Sequence, residues 1–241
     1  MLLLVIQFTG CESGGDCFRP AGDTIRQDIP VAPFSEIFVN EDIEMILSQG
    51  PEFKVVVETG EHLIEYFKAE VTEGRLILSM ENTCKVFRAY NAVRVFVSAP
   101  EITSIISSTQ FTIRSQGELN YSKLSLISDA FADENVIASG EFRLQVRVGH
   151  LSILANELAN FEISGTANTM RIYLADGSVR VYMPELRVGF ANIYHRSSQD
   201  ITLYPLDSVK GELWGTGNLR LLNVPSVIEV KENYKGKLIM D

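Results

Sequence analysis

The feature that most limits how this chain can fold is a segment that recurs six times between Ile105 and Pro225. The segments run from Ile105 to Gly117, Ile127 to Gly140, Ile153 to Gly165, Ile172 to Pro184, Ile193 to Pro205 and Leu213 to Pro225. Five span 13 residues and the second spans 14, and their starts are separated by 22, 26, 19, 21 and 20 residues. Each opens on an apolar residue, passes a small or polar turn, climbs a short β-type run and closes on Gly or Pro. A period near 20 residues is the mark of a solenoid, because one coil cannot bury its apolar face until the next coil stacks on it.

The short runs Arg180–Tyr182, Asp200–Tyr204 and Asn218–Leu222 have strand character, and alternation along them sends one face inward and one outward. Two ladders follow from this register. Tyr173, Tyr194 and Trp214 fall at the second position of successive coils, and Pro184, Pro205 and Pro225 at the thirteenth. Proline cannot donate to a sheet ladder, so its row belongs at a corner between strands. The aromatic row has two readings. Facing inward it is a core stack, as apolar rows in solenoids usually are; facing outward it is a platform on which sugar rings stack.

Upstream of the coils the chain is also β-rich. Residues 26–39 alternate into a strand, 42–48 form a second closed by Gly50-Pro51, and 53–58 form a third stopped at Gly60. Leu63, Ile64 and Phe67 are spaced for one or two helical turns. A hairpin is expected around Glu73-Gly74, and 92–97 read as a buried strand ended by Pro100. No linker separates this part from the coils, so residues 23–241 are expected to form one domain. Its first third is expected to cover one end of the solenoid.

The order of several short motifs resembles the head GIN domain family, the autotransporter-type adhesins of Bacteroidetes. They are Pro33-Phe34-x-x-Ile37-x-Val39, Gln49-Gly50, Lys54-Val-Val-Val-Glu58, Gly74-x-Leu76-x-Leu78 and Val95-x-Val97-x-x-Pro100. The Ser-Gly turns at Ser139-Gly140 and Ser164-Gly165 continue the pattern, and Pro225 and Gly236 stand at its close. The resemblance covers about residues 26–240. The chain departs from it at Asp176-Gly177-Ser178, Arg196-Ser-Ser198 and Gly215-Thr-Gly217, where other turns replace Ser-Gly. The family implies an all-β, right-handed parallel β-helix at the cell surface, and it implies no catalytic residues.

Residues 1–11 are a short apolar run ending in Thr-Gly-Cys11. They read as an export leader with a lipobox-like end, which makes Cys11 the candidate lipidation site and residues 1–22 a leader and tether. No Lys or Arg precedes the run. Cys17 and Cys84 remain as a candidate disulfide, permitted outside the cytoplasm. The expected location is the outer membrane or cell surface, with membrane contact only through the N-terminal lipid. The net charge of −10 and pI near 4.9 argue against nucleic acid and against docking on anionic lipid.

No cofactor is implied, and no hydrolase, zinc, phosphate-loop or calcium-loop spacing occurs. His62, His150 and His195 lie far apart, and His195 is expected to be a solvated turn residue. Parallel β-helices also carry pectinase and polysaccharide-lyase chemistry, which needs converging carboxylates. Asp133, Glu134, Glu157, Asp176 and Asp200 lie near the turns, but Asp176 and Asp200 are three positions out of register. Three functions therefore stand: a binding or adhesion protein whose partner is a glycan or an envelope protein, a carbohydrate-active enzyme, and a structural envelope lipoprotein. An outward aromatic row flanked by polar residues favours the first. Acids meeting in one groove favour the second.

Overall fold

The computed structural model describes residues 20–81, 93–130 and 138–241. Cys11, Cys17, Cys84, Asp133, Glu134 and nearly all of the leader lie outside them. The described chain is all-β: sixteen strands form one continuous hydrogen-bonded sheet, with a single 3₁₀ turn at Ile64–Tyr66 where the helical spacing was expected.

The architecture follows from five long strands, β9 (Thr112–Ser128), β10 (Ser139–Ala155), β11 (Leu158–Leu174), β12 (Arg180–His195) and β13 (Ile201–Leu213). They stack in parallel, each on the next. Each turns a corner part-way along, and the register of β11 on β12 breaks between Glu162 and Gly165. The corner gives every coil two limbs. The first limb continues through β14 (Leu219–Leu221) and β16 (Leu238–Met240), the second through β15 (Val227–Glu232). At the other end, β3 (Ile43–Gln49) and β7 (Val93–Ala99) add to the first limb, while β8 (Ser104–Ser107) and β2 (Glu36–Val39) add to the second, all in parallel.

Antiparallel pairing then blunts the N-terminal edges. β4 (Lys54–Gly60) lies antiparallel to β7, and β1 (Thr24–Ile29) antiparallel to β4. On the second limb β6 (Arg75–Met80) pairs in parallel with β2 and carries β5 (Phe67–Thr72) antiparallel on its far side. The connecting residues Glu73 and Gly74 both have positive φ, 52° and 77°, the backbone of a two-residue hairpin whose twist matches its strands. Residues 26–39, expected as one strand, split into β1 and β2 around Pro30 and Pro33, since proline interrupts ladder bonding.

Buried side chains run in rows through the interior. On the first limb Ile113, Phe142, Phe161, Val181, Ile201 and Leu219 lie opposite one another in turn, and the half-buried Leu238 ends the row. On the second, Ile105, Leu126, Ile153, Ile172 and Ile193 do so. The expected register Ile153–Ile172–Ile193 is the observed one. The second segment, however, slips by one: Ile105 faces Leu126, and Ile127 points outward. A one-residue slip reverses the face of every side chain, and at Leu126-Ile127 two aliphatic neighbours disguise the parity. Leu213 also misses the row, because Ile193 lies opposite Gly211. The proline row is not a ladder either: Pro184 sits in the register break, Pro205 lies opposite Val188, and Pro225 falls between β14 and β15.

Gly165 shows how tightly the coils approach. Its φ is +108°, and a Cβ there would lie 2.0 Å from the Val146 carbonyl oxygen. Only glycine fits both requirements.

Candidate functional site

The outer face of the second limb carries the expected aromatic residues. Tyr173 and Tyr194 lie opposite each other on β11 and β12. Their neighbours Ile172, Leu174, Ile193 and His195 are buried, so strand alternation sends both tyrosines outward. The rings stack with centroids 4.6 Å apart and an interplanar angle of 13°. Tyr173 is 37% exposed and Trp214 43%. The inward reading of this row is therefore corrected.

Trp214 is not a rung of the ladder. The residue opposite Tyr194 is Glu212, and Trp214 follows the end of β13. It still reaches the same place: Tyr194, Arg196 and Trp214 line a surface depression of about 420 Å³. Trp214 Nε1 donates to Glu212 Oε2 at 2.6 Å. The Trp214 and Gly215 amides donate to the His195 carbonyl at 2.7 and 3.1 Å, and the Arg196 amide donates to the Leu174 carbonyl at 3.0 Å. The backbone that presents the depression is thus held by inter-coil hydrogen bonds.

The aromatic pair is one end of a longer stripe. Through successive registers Ile77, Phe38, Ile106, Ile127, Leu154, Tyr173 and Tyr194 form one outward row, roughly 30 Å long at the usual strand spacing. Two residues earlier on the same face runs a polar row, Ser104, Ser125, Ser152, Arg171, Asn192 and Lys210. Sequence reasoning missed both rows as continuous features. The alternation in β8, β9 and β10 was the available signal, but the pairings of these strands depend on loop lengths that no single segment reveals.

His195 lies in the row Ser128, Ala155, Leu174, His195, Leu213 on the inward side. It is fully buried, not solvated, and neither ring nitrogen has a well-formed hydrogen bond among the described residues. Burial pulls its pKa from 6.5 down to about 4, against the opposing pull of the Asp200 carboxylate and the Gly217 and Gln199 backbone. The signal was present in the sequence, because His195 shares the parity of Ile193.

The acids near the turns serve the coil ladder. Asp200 Oδ1 accepts from the Asn218 amide at 2.8 Å, and Oδ2 from Arg220 Nε at 3.2 Å. Asp176 Oδ1 accepts from the Gly177 amide at 2.8 Å. Glu157 adopts positive φ at its turn. No group of three His, Cys, Asp or Glu able to hold a metal occurs among the described residues.

Comparison with known proteins adds the lineage. The family model described as "Putative auto-transporter adhesin, head GIN domain" matches residues 33–225. The chain belongs to the head GIN domain family. Solved structures share this head GIN fold at low identity. A Bacteroides fragilis protein described as a putative adhesin is 16% identical, with a TM-score of 0.82 over 92% of this chain and 99% of that one. A Parabacteroides distasonis protein described as a putative lipid binding protein is 14% identical, with a TM-score of 0.61 over 90% and 97%. A Parabacteroides merdae putative adhesin is 16% identical, with a TM-score of 0.55 over 92% and 98%. No curated protein sequence matches significantly. An adhesion-type, cell-surface role is what the family description carries, and no helix among the described residues is long and apolar enough to cross a membrane.

Proposed function

We propose that this protein is a non-enzymatic surface adhesin that binds glycan chains on the outer face around Tyr173 and Tyr194. One observation carries the reading: an outward aromatic pair, flanked by the polar residues Arg171 and Asn192, that opens onto the Tyr194–Arg196–Trp214 depression. The negative face of an aromatic ring attracts the polarised C–H groups of a sugar ring, while neighbouring polar side chains take its hydroxyls. Tyr173 covers one face of Tyr194, and the depression lies on the side of the following coil, where Trp214 supplies a second aromatic wall.

In this reading export and lipidation at Cys11 hold the domain at the envelope, and Cys11→Ala should release the protein from the membrane fraction. Asp200 and Asp176 are committed to backbone and arginine partners, which weighs against the carbohydrate-active enzyme. The deciding experiment incubates the purified protein with plant, mucin and bacterial polysaccharides, scoring retention and newly formed sugar ends in the same wells. Retention without release, abolished by Tyr194→Ala, is the expected result. Release of ends would replace the adhesin with an enzyme, and neither signal would leave binding to an envelope protein or the structural role.

A further inference from the structure

Resting on the glycan reading, we infer that the ligand is an anionic glycan, carrying carboxylate or sulfate groups that Arg171 and Arg196 receive. The other described arginines already have partners. Arg26 and Arg94 meet Glu58, and Arg114 meets Glu44. Arg143 meets Glu141, Arg147 meets Glu118, Arg75 meets Glu36 and Arg220 meets Asp200. Arg180 and Arg187 lie over the rings of Tyr182 and Tyr204, at 5.0 and 3.5 Å from their centroids. Among the described residues, Arg171 and Arg196 alone of the arginines meet neither a carboxylate nor a ring.

Both of them border the tyrosine pair. Arg171 precedes Tyr173 by two residues and is exposed on the same face; Arg196 follows Tyr194 by two and lines the depression. They stand on opposite sides of the pair, about 13 Å apart along the strand direction at the usual rise per residue. Glu212, opposite Tyr194 on the next coil, is already engaged: its Oε2 accepts from Trp214 Nε1 at 2.6 Å and from Asn233 Nδ2 at 3.2 Å. Lys210, in the polar row, is matched by Glu229 at 2.9 Å. On a chain of net charge −10, this patch keeps two uncommitted guanidiniums beside two stacked rings. A planar guanidinium offers two parallel donors that match the two oxygens of a carboxylate or sulfate. Neutral sugars offer that fork only uncharged hydroxyl oxygens, without the charge that strengthens the bonds.

The test compares polygalacturonate, highly methyl-esterified pectin and dextran sulfate on the full-length protein. The esterified polymer keeps the same backbone without its charge. Retention of polygalacturonate or dextran sulfate about tenfold stronger than that of esterified pectin is expected. The stronger of the two anionic polymers identifies carboxylate or sulfate as the recognised group. The double variant Arg171→Gln/Arg196→Gln should remove that advantage at an unchanged melting temperature. Equal retention of polygalacturonate and its ester, or an unaffected double variant, overturns the anionic assignment. If Tyr194→Ala still abolishes retention in that case, the glycan reading survives alone. Absence of retention for every polymer overturns both.

Discussion

Two ring stacks, one inside the molecule and one outside, share nearly the same geometry. Phe142 and Phe161 lie 4.9 Å apart at an interplanar angle of 5°, both fully buried. Tyr173 and Tyr194 lie 4.6 Å apart at 13°, on the outer face. Each pair occupies opposite positions on adjacent parallel strands, so the strand spacing of about 4.8 Å sets both separations. Stacking therefore reports register and says nothing about burial. Burial is decided by parity along the strand, and parity separates a structural pair from one available to a ligand.

The largest effect should come from breaking the inner stack. Phe161→Ala removes a buried ring from a row that cannot collapse without moving whole coils, and should cost about 3–5 kcal/mol, read as a lowered urea midpoint. Tyr194→Ala removes an outward ring and should cost under about 1.5 kcal/mol, close to the worth of an aromatic pair beyond area burial. It should nevertheless abolish glycan retention, which a folded Phe161→Leu should keep. Equal destabilisation by the two alanine variants would mean that the outer pair is structural.

His195 sharpens the contrast, because it is a titratable side chain placed at core parity. Its folded pKa of about 4 lies below the ordinary 6.5, so the unfolded chain binds the proton first as the pH falls. Stability should drop between about pH 6.5 and 4 and level off below, by an amount on the order of 3 kcal/mol for the full shift. Thermal melts across that window test it. His195→Leu should flatten the curve, and an equal slope in the variant would place the titration elsewhere.

Much of this was legible in the sequence. The coil period, the hairpin at Glu73-Gly74, the 3₁₀ turn and the tyrosine rung follow from local chemistry that repeats or punctuates the chain. What failed were parities hidden by neighbours of similar type. Leu126-Ile127 offers two aliphatic candidates for one inward position, and the polar type of His195 points to solvent although Ile193, two residues earlier, fixes its side inward. Trp214 lies near Tyr194 without sharing its rung, because the register shifts between Tyr182 and Arg187 and is only partly restored between Val188 and Phe190, and a bulge leaves no mark in a repeat count. Arg171 and Asn192 went unread for a different reason. Their meaning depends on which charges are already paired, and pairing is a property of the folded surface.

The smallest expected effect belongs to a third ladder, made of charges on the outer face of the first limb. Arg26, Glu58, Arg94, Glu44 and Arg114 alternate in sign across β1, β4, β7, β3 and β9, with contacts of 2.6, 3.1, 3.2 and 3.2 Å. The hydrogen bond from Arg26, with that from Arg94, holds the Glu58 carboxyl below its ordinary pKa against the opposing effect of burial. A lowered carboxylate pKa contributes stability above the unfolded value and loses it as the pH falls through the folded one. This loss therefore begins where the His195 loss is ending. Exposed pairs contribute only about 0.2–1 kcal/mol and are screened by salt. Glu58→Gln should accordingly lower the urea midpoint slightly in dilute buffer and not at all in 1 M salt, where the Debye length is about 3 Å, whereas the Phe161→Ala deficit should persist. A salt-independent loss at Glu58 would show that this outer ladder holds the N-terminal strands together by packing, as the inner stack does, and not by charge.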